Sequence, residues 1–361
     1  MFQRQWFPQD SQFNLSPIAN KIERLICRHE YDSAMQLLGR TPSFPHWYHT
    51  KILRRILHLN NRADRLRNSN PPYPVYIHWS GFWPNMDPYN CQLLDLFNAS
   101  TPDLYFITVD NMLQADVTIS SCYGAQPIHP SPYGALQLIF LGENIRPFLS
   151  VFDYSISSDQ SDYCGRNVYL PLWLLELDWF SGKTYPDRSP LCLQSVTHGF
   201  HYNPAQRNMR VIYVGNNNEP WRLSMLNHLR QHNITVDTYG SHTNPVEDKC
   251  LLYSNYSLIL SFENGYNPGY ITEKIIHAYA SQTPLLYYGC LHGSVFHNSQ
   301  YPILCMPSMS IPDLINRIHS LFEREGSIYF QPLLTHDTLM TQYQNVLNSL
   351  SSKFSQFILS L

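Results

Sequence analysis

From residue 74 onward, short apolar runs alternate with polar stretches of helical spacing. The runs Pro74 to Trp79, Leu104 to Val109, Val117 to Ser120 and Leu136 to Leu141 each predict a strand. A second series begins near Met209. There Val211 to Val214, Ser257 to Ser261 and Leu285 to Tyr288 predict strands, and Pro220 to Arg230, Thr272 to Ala280 and Pro312 to Arg324 predict helices. Alternation of this kind builds βα units around a mostly parallel sheet, so the fold class is α/β. The stretch Asp178 to Pro204, rich in Pro, Gly and Ser, separates the two series. The expectation is a first lobe over residues 71–185 and a second over 186–330, facing each other across a cleft. Ligands would bind at the carboxyl ends of the strands.

The two ends of the chain read differently. Ile18, Ile22, Leu25 and Ile26 share one helical face, and Tyr31, Ala34, Met35 and Leu38 predict a second short helix ending near Gly39. A third, Ile52 to Leu66, mixes Ile and Leu with Arg54, Arg55, Arg62 and Arg65. Residues 1–70 are thus expected to be a helical extension, joined by the Pro-rich linker Asn68 to Pro74. Leu339, Tyr343, Val346, Leu350, Phe354, Phe357 and Leu361 recur at steps of three and four and predict an amphipathic helix within 331–361. That helix would cross back to seal the lobes, or else dock on a membrane or a second copy.

Composition narrows the function classes. Of 361 residues, 43% are hydrophobic and 14% aromatic, which excludes a disordered chain. The net charge of -3 argues against nucleic acid, whose recognition rests on clustered Lys and Arg. The first 70 residues carry 11 Lys and Arg against 5 Asp and Glu, a local surplus that fits a solvated helical face or a peripheral contact with anionic lipid. No apolar run approaches the roughly 20 residues of a membrane span, and the N-terminal residues show no apolar signal segment. A cytoplasmic or peripheral-membrane location is expected. The eight cysteines include no C-x-x-C pair, so no zinc site is expected and the thiols read as free. His198-Gly-Phe-His201 sits among loop-forming residues, and no D-x-D pair offers a metal–diphosphate grip.

The informative stretch runs from Tyr256 to Gly289: a strand, a loop rich in Gly and Asn, then a helix opened by Thr272. A loop feeding a helix N-terminus presents unpaired backbone N–H groups, a natural seat for phosphate. Lys274 is a poor match to the helix dipole there and makes sense if it neutralises a bound anion. Glu273 is at home in a first turn as a capping carboxylate.

The segment F-E-N-x-x-x-x-x-G-Y-I-T-E-K-I-I-x-A-Y, followed by Y-x-G, closely resembles the donor-binding signature of the α1,3/α1,4-fucosyltransferases, glycosyltransferase family ten. Val214-Gly-Asn-Asn-Asn-Glu-Pro-Trp-Arg222 is similar to the family's strand and N-x-x-x-x-R segment, running here from Asn217 to Arg222. Phe140-Leu-Gly-Glu-Asn-Ile-Arg-Pro147, followed by Phe152-Asp-Tyr and Leu170-Pro-Leu, resembles the acceptor-lobe segment of bacterial members. Ile77-His-Trp-Ser-Gly-Phe-Trp83 is a looser match. The resemblance covers roughly residues 74 to 330.

It implies the GT-B arrangement, two Rossmann-type lobes, and an inverting transfer of L-fucose from GDP-fucose to a glycan hydroxyl. The catalytic residues implied are Glu143 as general base and Glu273 as a carboxylate near the sugar, a role Glu263 could share. Arg222 and Lys274 would hold the leaving diphosphate, with Asn217 in the same segment as Arg222. Tyr270 could pack on guanine and Asn264 bond ribose or base, or both could serve the loop alone. No cofactor is required on this reading, a divalent cation being at most stimulatory. The partners are GDP-fucose, an oligosaccharide or glycoconjugate acceptor and, at the periphery, a membrane or a second copy. The chain departs from the family at His277, where Asp is usual, at F-E-N-G in place of F-E-N-S, and at Pro284-Leu-Leu-Tyr-Tyr-Gly289. The alternatives are transfer of another nucleotide sugar on the same fold and a silent carbohydrate-binding scaffold.

Overall fold

Six strands form the first sheet: β1 (Tyr73–Ser80), β2 (Leu104–Thr108), β3 (Val117–Ser121), β4 (Leu136–Leu141), β5 (Tyr154–Ser157) and β6 (Asn167–Tyr169). All are parallel, in the order β2-β1-β3-β4-β5-β6. The computed structural model describes residues 30–42, 68–123, 135–149, 152–215, 219–240, 244–297, 303–305 and 309–358, isolated positions between 17 and 65, and residues 299 and 301. β4 buries every residue, as a strand covered on both faces must, and its Leu, Ile and Phe content made it legible. β5 and β6 escaped sequence reading because they are short and polar. Ser155 and Ser157 both donate to Asn167 Oδ1, at 2.7 and 2.9 Å, so their hydroxyls are satisfied inside the sheet. The apolar run from Val168 does not continue as a strand. It turns at Pro171 into a 3-10 segment, Leu172–Glu176, which buries Leu172 to Leu175.

The junction expected over Asp178 to Pro204 is irregular chain fastened to the first lobe. Gln92 donates to the Leu177 carbonyl, and Asp95 receives both Lys183 Nζ and the Tyr185 hydroxyl. It leads through β7 (Phe200–Tyr202) into a second parallel sheet of β8 (Asn208–Val214), β9 (Val236–Tyr239), β10 (Tyr256–Phe262), β11 (Leu285–Tyr288) and β12 (Ile303–Cys305), ordered β12-β11-β10-β8-β9. Helices Pro220–Gln231, Glu273–Ala280 and Ile311–Phe322 follow the predicted pattern. β13 (Ile328–Phe330) then pairs antiparallel with β7, so the segments entering and leaving the second sheet are hydrogen-bonded to each other.

One apolar core runs from the first sheet through Trp173 to helix Glu273–Ala280 and one face of the second sheet. The other face packs Val211, Leu260 and Leu286 against Leu314 and Ile318. The C-terminal helix, His336–Ile358, returns to the first lobe. Leu339, Val346, Leu350 and Phe354 are buried, Phe354 lies against Phe97 and Phe106, and Tyr343 stacks on Trp179 with ring centroids 4.2 Å apart. The helix thus crosses back, and these contacts are all with the first lobe; the Phe357 side chain and Leu361 lie outside the described residues.

In the N-terminal extension, helix Tyr31–Gly39 buries Ala34 and Leu38 with Ile22, Ile52 and Ile56. Arg65 fastens it to the first lobe, donating to both oxygens of buried Asp116 at 2.5 and 2.6 Å. Most of the helix expected from Ile52 to Leu66, including Arg54, Arg55 and Arg62, lies outside the described residues. Among the described residues no helix is long and apolar enough to cross a membrane.

Candidate active site

The central strands of both sheets end on the same cleft. β4 runs into Gly142-Glu143-Asn144, at the carboxyl end of the first sheet. A Cβ at position 142 would press on the Tyr123 hydroxyl and the Phe140 ring, so glycine lets both pack close to the strand end. The half-buried Glu143 carboxylate holds two unlike oxygens. Oε2 accepts from Asn264 Nδ2 at 3.0 Å and from the Tyr270 hydroxyl at 3.2 Å, both in the second lobe. Among the described residues, Oε1 has a single long contact, from the Tyr123 hydroxyl at 3.4 Å.

β10 runs into Glu263-Asn264-Gly265. Glu263 is fully buried, and its oxygens accept from the Thr272 backbone N–H at 2.9 Å, the Thr272 hydroxyl, the Tyr287 hydroxyl at 2.9 Å and Lys274 Nζ at 3.0 Å. A buried carboxylate is tolerable only with this degree of pairing. Glu263 therefore fixes the start of helix Glu273–Ala280 and aims Lys274. Its oxygens are taken up by these donors, so the part expected of it at the donor or the sugar would be played through Thr272 and Lys274.

Lys274 Nζ also donates to the Thr272 hydroxyl at 2.7 Å and lies 3.6 Å from Glu273. Burial works against its charge, but Glu263 and Glu273 outweigh it and hold the ammonium pKa above its ordinary value. For Glu273 burial favours the neutral acid, yet Lys274 and Lys249, with His277 behind them, draw its pKa well below the usual carboxylate range. Arg222, in the first turn of Pro220–Gln231, is 4% exposed. Its Nη2 donates to the Glu263 carbonyl and to Asn264 Oδ1, each at 3.0 Å, and the guanidinium lies over the Trp221 and Phe262 rings.

The loop between β10 and the helix closes onto the first lobe. Asn267 donates to Asn144 Oδ1 at 2.5 Å, and a Cβ at Gly265 would fall on the Asn144 amide, which explains the Gly of F-E-N-G. Gly142 and Glu273 line a pocket of about 280 Å³ together with Trp83, Tyr123, Glu176 and Arg188, among others. Its wall is ordered by Trp83 Nε1 donating to Asp187 at 2.9 Å, by the Arg188 guanidinium over the Trp83 ring, and by His277 Nε2 at 3.2 Å from Glu176. His277, where the family usually carries Asp, thus has a carboxylate partner from the first lobe.

Of the residues singled out in the sequence, the structure joins Glu143, Asn264, Tyr270 and Arg222 in one network and Glu263, Glu273 and Lys274 in another. Tyr270 is 2% exposed and its hydroxyl serves Glu143, the loop role left open beside its packing on guanine. Burial, then Glu143, raises its phenol pKa, so it stays a donor. Asn264 links Arg222 to Glu143. Asn217 lies outside the described residues. Tyr123, Trp83, Glu176 and Arg188 were missed, and only Trp83 carried a signal, as part of the aromatic first strand segment. His198 and His201 share no cluster of metal-ligating residues, none being present among the described residues.

Comparison with known proteins agrees with this architecture. A model of the alpha-(1,3)-fucosyltransferase FucT N-terminal domain matches residues 77–176, and a model of glycosyltransferase family 10 (fucosyltransferase), C-terminal part, matches residues 204–289. The chain is 28% identical over 241 residues to alpha-(1,3)-fucosyltransferase FucT of Helicobacter pylori, a match covering 59% of this chain and about half, 50%, of that protein's length. Among solved structures it resembles an alpha1,3-fucosyltransferase with GDP, at TM-score 0.50 and 21% identity, over 78% of this chain and 91% of that one. The structure of an alpha1,3-fucosyltransferase with GDP-fucose gives TM-score 0.50 at 20% identity, over 78% and 92%. The two parallel sheets follow the GT-B fold of those structures.

Proposed function

This chain belongs to glycosyltransferase family 10, and from that premise we propose that it transfers L-fucose from GDP-fucose to a glycan hydroxyl with inversion, forming an α1,3 or α1,4 linkage. The observation that carries the reading is the meeting of Glu143, from the first lobe, with the Asn264–Tyr270 loop that leads straight to Lys274 in the second. A base must face the acceptor while cations face the leaving group, and the two lobes supply them from opposite sides.

In the reaction the acceptor oxygen forms its bond to fucose C1 as the C1–phosphate oxygen bond breaks and the electron pair leaves with GDP. One displacement inverts the configuration. The hydroxyl proton goes to Glu143 Oε1, which has no close donor among the described residues and whose long contact is Tyr123 on the pocket wall. Lys274 and Arg222 take the charge of the departing diphosphate, Lys as a point charge and Arg through its planar donors. Glu273, kept ionised by its lysine neighbours, stabilises the positive sugar carbon. With two cations in place, a divalent metal is at most stimulatory. The acceptor enters over Trp83 and Tyr123, whose rings suit the apolar face of a sugar.

The test is a screen of GDP-, UDP- and ADP-sugars against N-acetyllactosamine- and lactose-type acceptors, with linkage analysis of the product. Fucosylation from GDP-fucose is expected. Transfer from another nucleotide sugar, or binding without turnover, would replace the reading with one of its alternatives.

A further inference from the structure

Resting on that reading, we infer that Asn264 is a positioning residue that ties the diphosphate-holding Arg222 to the base Glu143 across the cleft. Its amide oxygen accepts from Arg222 Nη2 at 3.0 Å, and its amide nitrogen donates to Glu143 Oε2 at 3.0 Å. A cation on one side and a carboxylate on the other leave a single sensible orientation of the amide. Turned over, it would present N–H groups to the guanidinium and a lone pair to the carboxylate. Only a primary amide of this length can serve both ends.

The arrangement has two consequences. The guanidinium polarises the amide, which strengthens the N–H donated to Glu143. It also makes the two carboxylate oxygens inequivalent. Asn264 and Tyr270 both occupy Oε2, which leaves Oε1 to the long contact with Tyr123, a residue of the pocket wall. When a diphosphate engages Arg222, the change reaches the base through one amide. The acceptor's proton is thereby taken by a base whose orientation depends on the donor side of the cleft. Arg222 has a second anchor in the Glu263 carbonyl, so loss of the Asn264 side chain leaves the guanidinium in place.

A double-mutant cycle tests the link. Asn264→Ala should lower kcat about 10- to 100-fold, the worth of a hydrogen bond to a charged group, while donor KM moves less than about threefold. In a Glu143→Gln background the same change should lower the residual rate by less than about twofold, because both substitutions act through one carboxylate. Equal losses in both backgrounds would overturn the inference. Asn264→Asp keeps the shape and the bond from Arg222 but turns an acceptor toward Glu143, so it should lose at least as much as Ala; near wild-type turnover would count against the link.

A readout without turnover is the ¹³C signal of the Glu143 carboxyl, assigned by its absence in Glu143→Gln. GDP should move it in the wild type and by less than half as much in Asn264→Ala, and equal movement would overturn the link. A wild type that shows this coupling but transfers no fucose would overturn the functional reading and leave the link standing. Fucose transfer with an additive cycle would do the reverse.

Discussion

Each sheet ends its central strand in a Glu-Asn pair, Glu143-Asn144 after β4 and Glu263-Asn264 after β10, and the two pairs are built for opposite purposes. Glu263 is sealed from solvent and saturated by Thr272, Lys274 and Tyr287. Glu143 stands half-open at the cleft, with one oxygen held by the second lobe and the other nearly free. The first carboxylate is taken up by the donors around it, whereas the second keeps one oxygen for the role proposed for it. A Glu-Asn pair, directly after β10 and one residue later after β4, thus serves as a buried anchor in one sheet and as the proposed base in the other. The asparagines follow suit: Asn144 receives the closing loop and Asn264 reaches out to the opposite carboxylate.

Substitutions that separate rate from stability sharpen this contrast. The largest effect is expected from Glu143→Gln, which keeps the shape but removes the base. Transfer should fall by a factor of about 100 to 10,000, with GDP affinity and melting temperature nearly unchanged. A folded Gln variant with wild-type turnover would break the comparison outright. Glu263→Ala should do the opposite and act on stability. It takes the close carboxylate partner from Lys274 and one acceptor from the Tyr287 hydroxyl, at a cost of about 3 to 5 kcal/mol in urea unfolding. An unchanged urea midpoint would show that the anchor bears no load.

Arg222→Ala and Lys274→Ala come next, each weakening GDP by about 1.5 to 3 kcal/mol in calorimetry. The smallest effect is a pH dependence. Glu273 titrates below its ordinary range when folded, so its contribution to stability is present above an unfolded pKa of about 4.3 and is lost as pH falls toward the folded value. The stability gap between wild type and Glu273→Gln should hold steady from about pH 8 to 5 and narrow below about pH 4. A gap that widened on acidification would reverse the assignment of the Lys274 and Lys249 charges.

How much of this could be read from the sequence depended on distance along the chain. β4 and β11 were legible to the residue because their side chains are apolar and local. Lys274 announced itself by sitting where a helix dipole disfavours a cation. The character of Glu263 was hidden, since it is set by Thr272 and Tyr287, 9 and 24 residues away. The partner of Tyr270 was hidden for the same reason: an aromatic in a loop gives no sign of the first-lobe carboxylate that its hydroxyl reaches. The pocket wall was unreadable in principle. Trp83, Tyr123 and Arg188 belong to three separate segments, and only packing brings Arg188 over the Trp83 ring and Tyr123 against its edge.

The pairing of β7 with β13 sets how the two sheets are joined. A lobe attached by one strand of chain could swivel. Here the chain entering the second sheet and the chain leaving it are bonded side by side as an antiparallel ribbon, so a twist of one sheet against the other would have to break its hydrogen bonds. The apolar core that runs through Trp173 ties the same two sheets together, and parting them would expose it to water.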